Sequence, residues 1–536
     1  MPIPMTRRLV LLAIAFSASA VVLYGIRQSS ASQPAPPFDL VIRNGQVLDG
    51  SGAPPTRADV AVRDGRVVAV GALEQPPARR VIDAAGRYVA PGFIDTHTHA
   101  AEGLARQGLE QGVPLLAQGI TTLLANPDGG GPVDLAEQRR VLETHGVGVN
   151  VGFLIGHGSV RGAVLGMADR APTDEELQRM VDLVRRAMNE GAFGLSSGLF
   201  YAPGSYARTD EVVRLMEAVG ETGGVHQSHV RDEGDYSTGL VASVDEIIEI
   251  AERTRTRGVV SHMKALGQAS WGLGGKAVDR IEQARARGVR MFADQYPYEA
   301  SSTSLTGAVV PRWAQAGGTK EMRRRLADPV LRDRLLTEVR ANIARRGGPA
   351  AIRIALYPAE RSYEGLSLAE VASRRGASPE QVTLDLLSVA SASIVSFNMN
   401  DADIDLIMRQ PWTMTASDGA LSFPTEGKPH PRGYGAFTRK LERYVRERKL
   451  VTLEAAVRSM TGLPAEVYGI EGRGVLREGA FADIVVFDLA AIRETTTYAD
   501  PHQVSQGMAF VLVNGVPVVD DGKFTPALAG RIIRKR

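Results

Sequence analysis

Pro91-Gly92-Phe93-Ile94-Asp95-Thr96-His97-Thr98-His99 is the stretch on which the fold turns. A short apolar run ends in Asp95, and two histidines follow with one residue between them. In extended chain, residues i and i+2 point to the same side. The imidazoles of His97 and His99 can therefore grip one ion from a strand end, and neutral imidazole suits zinc. A His-x-His pair alone fits two polar residues beside a turn equally well. Its place at the end of this strand, behind a hairpin-rich segment, favours a metal.

Upstream, residues 38–90 read as short strands. "FDLVIRNGQVLDGSG" and "ADVAVRDGRVVAVG" alternate apolar and polar residues around Asn44-Gly45 and Asp64-Gly65, both strong hairpin dipeptides. The signature returns in residues 472–536 as "FADIVVFD" and "FVLVNGVPVVDDGKFT", with Asn514-Gly515 at a turn. Two half-sheets at opposite ends of a chain can complete one small β-sandwich. Downstream, residues 91–471 change pattern. "GITTLLAN", "VNVGFLIG", "AFGLSSG", "GGVHQSH", "GVVSHMK", "RMFADQYPY" and "TMTASDG" alternate with helical stretches such as 173–190, 208–222, 243–257 and 276–288. Strand–helix alternation on this scale predicts an α/β fold, a parallel α/β barrel. Such barrels carry their chemistry at the C-terminal ends of the strands. His97, His99, Asp128, His229, His262 and Asp418 all stand there. Arg-rich, helical residues 303–393 predict an insertion or lid plus one barrel unit.

The 536 residues are 44% hydrophobic and 23% charged, enough apolar material for a globular core. A net charge of +2 and 6% aromatic content argue against nucleic acid or an anionic lipid surface as partner. The oligomeric state leaves no mark on the sequence. The absence of cysteine excludes disulfides, thiolate metal sites and cysteine nucleophiles, so any metal must be held by His, Asp, Glu or a modified Lys. At the N-terminus, Arg7 and Arg8 precede an apolar run over 9–26, then Ser29, Ala31 and the spacer Gln33-Pro34-Ala35-Pro36-Pro37. Residues 1–37 are expected to be a signal peptide, or an anchor long enough to stay in a bilayer, plus a Pro-rich spacer. Export to the periplasm or beyond follows, with the leader as the one membrane contact.

The longer motifs are more specific than the histidines. "GFIDTHTH", "QGITTLLANPDGG", "GLSSGLFYAPGSYARTDE", "SHVRDEGD", "SHMKALGQASWG", "DQYPYEASSTSL", "SDGALSFPTEGKPHPRGYGAF" and "FADIVVFD" resemble the D-aminoacylase group, the N-acyl-D-amino-acid deacylases of the amidohydrolase superfamily. The resemblance covers nearly the whole chain after the leader. It implies a metal-dependent (β/α)8 barrel with a small β-sandwich, a hydrolase that cleaves the amide of an N-acyl-D-amino acid to a carboxylate and a free D-amino acid. The alternative is an amidohydrolase acting on another linear or cyclic amide, dipeptidase- or hydantoinase-like. By the same resemblance His97, His99, His229 and His262 are metal ligands and Asp418 is the catalytic, metal-facing carboxylate. Lys264, Tyr296, Arg432 and, more weakly, Ser302 match positions that hold the substrate's small-molecule carboxylate.

One departure matters. The family usually places a metal-bridging cysteine in a "GNCG"-like turn, where this chain has Asn126-Pro127-Asp128-Gly129. Asp128 can bridge as a thiolate does, but a carboxylate is harder and weakens the preference for a soft metal. One or two zinc ions, or another divalent metal, are the expected cofactors. A bound divalent ion lowers the pKa of water towards about 7, and Asp418 can take the water's proton and pass it to the leaving nitrogen. Three segments read as bland: "RDEGD" after His229 as a helix start, "GRIIRKR" as a solvated terminus, and His145, His157, His226 and His502 as structural residues, while His430 is placed near the site mouth.

Overall fold

The computed structural model describes residues 38–74 and 77–536. The leader and spacer expected over 1–37 lie outside them. Among the described residues no helix is long and apolar enough to cross a membrane.

Two of the three hairpin dipeptides turn as expected. Asp64 and Gly65 take φ of 51° and 70° between strands Thr56–Arg63 and Arg66–Gly71, and Asn514 and Gly515 take 50° and 84° between Met508–Val513 and Val516–Asp520. Positive φ at both central residues matches the strand twist. Asn44-Gly45 does not turn. It is a bulge inside one strand, Phe38–Val47, which stays paired with Thr56–Arg63 on both sides of it. The bulge lets this strand pair first with Ala78–Asp83 and then with Tyr88–Pro91.

Tyr88–Pro91 also pairs antiparallel with Ile484–Phe487, so the two ends of the chain share a nine-stranded sheet. Its inner residues, among them Leu40, Ile42, Val60, Ile484, Val486 and Leu512, form a dry core of the β-sandwich.

Between these ends stands the barrel. Its parallel strands are Phe93–Asp95, Ile120–Ala125, Asn150–Phe153 continuing as Ile155–Gly156, Gly194–Gly198, Val225–His229, Arg257–Val260, Met291–Gln295 and Thr413–Thr415. The last returns to the first through Asp418 N–H to the His97 carbonyl (2.8 Å) and His99 N–H to the Gly419 carbonyl (2.7 Å). This closure brings residues far apart in sequence to one rim. Helices between strands show the expected stripe. Asp174–Asn189 begins with a Thr173/Glu176 capping box and buries Met180, Val181, Val184, Ala187 and Met188.

The expected barrel unit within 303–393 is absent. Ala300–Ser304, Ile352–Leu356 and Ser393–Phe397 instead pair antiparallel as a separate sheet. With its helices this insertion closes its own core around Leu305, Leu335, Val339, Ile352 and Ile394. Antiparallel pairing cannot extend a parallel barrel, so these apolar residues serve a second core. The basic tail is not simply solvated either. Val151 N–H donates to the Arg531 carbonyl (3.0 Å) and Ile533 N–H to the Val151 carbonyl (2.9 Å), fastening it beside strand Asn150–Phe153.

Candidate active site

Each candidate ligand sits where a barrel strand stops and the chain turns outward. Asp128, His262 and Asp418 all have positive φ, at 56°, 34° and 50°. Non-glycine residues rarely adopt this region, and such strain gathers at functional sites. The turns aim their side chains at one point. Asp128 lies 3.4 Å from His97 Nε2, 3.6 Å from His99 Nε2, 3.5 Å from His262 Nε2 and 3.9 Å from His229 Nδ1. Asp418 Oδ1 lies 3.2 Å from His99 Nε2 and 3.5 Å from His97 Nε2. His229 and His262, on neighbouring strands, face each other at 2.8 Å between Nδ1 and Nε2. Two ligand groups result, His97–His99–Asp128–Asp418 and Asp128–His229–His262, each with donor atoms within 4.8 Å of one another. Asp128 belongs to both.

The electrostatics call for a cation. His97 is fully buried, which opposes protonation, yet the carboxylates of Asp128, Asp294 and Asp418 hold its imidazolium well above the ordinary histidine value. Burial alone would raise Asp418, but Arg432, His97 and His262 hold it below the usual carboxylate range. Both ring nitrogens of His97, Nε2 of His229 and Oδ1 of Asp128 are buried without a hydrogen-bond partner. Orphaned polar atoms of this kind are rare in a folded interior. Their clustering with carboxylates and imidazoles fits a divalent metal.

Two carboxylates that the sequence reading did not single out support this centre. Asp294, at the end of strand Met291–Gln295, accepts the His262 backbone N–H at 2.6 Å and lies 3.5 Å from His97 Nδ1. Its signal was available, a carboxylate at a strand end like Asp128 and Asp418. Glu233 lies in the "RDEGD" loop, which is no helix start, since the next helix begins at Leu240. Asp232 folds this loop by accepting N–H groups of Gly234 and Gly239. Glu233 then meets Lys264 Nζ at 2.5 Å and His262 Nδ1 at 3.0 Å.

The centre opens into a cleft of about 1060 Å³, lined by barrel loops and by the insertion. Arg432 Nη1 stands 2.7 Å from Asp418 Oδ2, an ion pair without hydrogen-bond alignment, so this buried N–H group stays unused. Its guanidinium carbon lies 4.6 Å from the centre of the Tyr296 ring, whose buried hydroxyl also lacks a partner. Ser302 offers Arg432 its carbonyl at 3.4 Å, while its hydroxyl donates to the Ile394 carbonyl. Lys264 lines the cleft but is already tied to Glu233. His430 braces the wall, donating from Nε2 to the Ala300 carbonyl and accepting the Arg432 backbone N–H. His157 is structural, buried against Glu211 with Arg161.

Known proteins place this architecture. The amidohydrolase family model matches residues 80–519. The D-aminoacylase of Alcaligenes xylosoxydans xylosoxydans is 35% identical over 522 residues, covering 93% of this chain and 98% of that protein. The N-acyl-D-glutamate deacylase of the same organism is 36% identical over 518 residues, covering 93% and 97%. Among solved structures, the N-acyl-D-glutamate deacylase of Bordetella bronchiseptica, complexed with zinc and a phosphonate mimic of the tetrahedral intermediate, superposes with a TM-score of 0.78 at 33% identity over 93% of this chain and 99% of that one. With a barrel closed through His97 and Asp418 and a sandwich shared by its two ends, the chain belongs to the amidohydrolase family, in its D-aminoacylase group.

Proposed function

We propose that this protein is a metal-dependent N-acyl-D-amino-acid deacylase, hydrolysing the amide to a carboxylate and a free D-amino acid. The observation that carries the reading is the juxtaposition of an unused Arg432 N–H and the Tyr296 hydroxyl with Asp418 and the orphaned donors of His97, His229 and Asp128. His97, His99, Asp128, His229, His262 and Asp418 would hold one or two divalent ions, zinc first among them. Bound there, such an ion supplies Lewis acidity, making water acidic enough to attack near neutral pH and polarising the amide carbonyl.

The chain's own groups do the rest. Arg432 and the Tyr296 hydroxyl receive the free carboxylate, and the planar guanidinium fixes its orientation as well as its charge. This sets the scissile amide beside Asp418. Asp418, ionised at neutral pH, accepts the proton of the attacking water on a carboxylate oxygen and returns it to the departing nitrogen. Glu233 holds Lys264 and steadies His262 through Nδ1, as an outer partner of a metal-binding histidine does. Lys264, paired with Glu233, is not free to become a carboxylated metal bridge.

Assay of paired N-acetyl-D- and N-acetyl-L-amino acids on metal-analysed protein tests the reading. Hydrolysis of the D series supports it, whereas turnover of L substrates or cyclic amides alone moves the protein to another amidohydrolase class. The leader over 1–37 supports export, which fractionation of expressing cells checks.

A further inference from the structure

Three cations with buried side chains line the cleft. Lys264 is paired with Glu233 and Arg432 with Asp418. The third, Arg346, comes from the insertion and is 2% exposed. Its hydrogen-bond partners are neutral: Nε donates to the Tyr236 hydroxyl at 2.9 Å and Nη1 to Ser396 Oγ at 3.5 Å. Arg312 stands nearby, its guanidinium carbon 3.9 Å from the centre of the Phe200 ring and its Nη1 donating to the Gly307 carbonyl. Burial, with the charge of Arg346 adding to it, pushes Arg312 down from its ordinary value. Among the described residues no carboxylate lies within ion-pair distance of either guanidinium.

A buried charge without a partner is expensive, and a like charge beside it adds to the penalty. Arg346 follows helix Arg332–Arg345, whose C-terminus offers only about half an elementary charge in compensation. The remaining compensation has to arrive with a ligand. The aromatic wall shows where that ligand reaches. Tyr236 lies 6.0 Å from the Arg346 guanidinium carbon and 5.2 Å from Phe200, and Phe200 lies 5.6 Å from the His229 ring. Arg346 is thus two rings away from the proposed metal centre, in the same cleft, on the insertion side.

Resting on the deacylase reading, we propose that the preferred substrates carry a second carboxylate, distinct from the one at Arg432, and that Arg346 receives it. Two sources share this chemistry: an acidic D-amino-acid side chain, or an acyl group ending in a carboxylate.

Steady-state kcat/KM on the metal-loaded protein separates them. N-acetyl-D-glutamate is compared with its neutral isostere N-acetyl-D-glutamine, and N-succinyl-D-leucine with N-acetyl-D-leucine. One acid is expected to exceed its neutral partner roughly tenfold to a hundredfold, the scale of a charge-assisted hydrogen-bond pair. The pair that shows the excess names the source. Arg346→Met is expected to collapse that ratio towards one, and Arg346→Lys to restore part of it. The ratio cancels any general loss from misfolding. Equal rates on acid and neutral substrates, or a ratio unmoved by Arg346→Met, overturn the proposal while leaving the deacylase reading standing. No hydrolysis of any N-acyl-D-amino acid overturns both.

Discussion

On the barrel side of the cleft, Asp128, Asp294 and Asp418 crowd four imidazoles, and buried donor atoms of His97, His229 and Asp128 stay unpartnered. On the insertion side, Arg346 is just as deeply buried but meets only hydroxyls. One side is short of positive charge and the other of negative charge. Each is a folding penalty when the protein is alone, and each becomes binding energy for a partner of opposite sign. The barrel rim is organised for a cation and the insertion for an anion, with the scissile amide between them. This division explains why the insertion keeps a core of its own. It can carry a specificity group without disturbing the strand ends that hold the chemistry.

Substitutions on the barrel side should have the largest effects. His97→Ala removes a ligand common to the Asp128 and Asp418 contacts, and both metal content and turnover should fall, checked by elemental analysis beside the assay. Asp418→Asn sharpens the contrast within that side. It should leave most of the metal in place yet cut kcat roughly 10²- to 10⁴-fold, the usual contribution of a general acid–base group. Retained activity in this variant moves the proton transfer to another residue. Between the two sides, Arg432→Ala should act mainly on KM, raising it about tenfold to a hundredfold for substrates with a free carboxylate. An equal effect on a substrate amide lacking that carboxylate counts against the assignment.

The smallest effect concerns a cation in neither half of the cleft. Lys440 is 3% exposed, bonded only to the Thr415 and Ser459 hydroxyls, and burial lowers its pKa to about 7. The unfolded chain, with an ordinary lysine, binds more protons between pH 7 and about 10.4. Stability from this group therefore rises with pH across that window, and its full penalty is present below about pH 7. Lys440→Met should stabilise the protein most below pH 7, with the gain fading towards pH 10, as denaturant titration at several pH values would record. A gain that does not change with pH removes the lysine charge from the explanation.

Much of this was readable before any coordinates. Several barrel strands, such as Phe93–Asp95, Ile120–Ala125 and Arg257–Val260, are short apolar runs with a polar residue at or just beyond their end, so the run gives the strand and its end gives the candidate ligand. His97, His99, Asp128, His229, His262 and Asp418 were all reachable this way. What stayed hidden depends on pairing between distant segments. Asn44-Gly45 suits a bulge as well as a hairpin turn, and only the strands Ala78–Asp83 and Tyr88–Pro91 decide between them. The pairing of Lys264 with Glu233 was hidden because Glu233 returns through a loop folded by Asp232. Two of the insertion's strands, Ile352–Leu356 and Ser393–Phe397, are apolar enough to pass for barrel strands, and the antiparallel register is a property of three segments together. Arg346 was one arginine among many until its surroundings showed it without a carboxylate.

The central claim is that the clustered imidazoles and carboxylates hold a metal that acts on N-acyl-D-amino acids. Its most direct test is hydrolysis of an N-acetyl-D-amino acid and its L enantiomer before chelation, after thorough chelation and after zinc is returned. The account predicts preferential turnover of the D enantiomer, loss on chelation and recovery with metal. Undiminished turnover by metal-free protein, or activity confined to the L enantiomer, would contradict it.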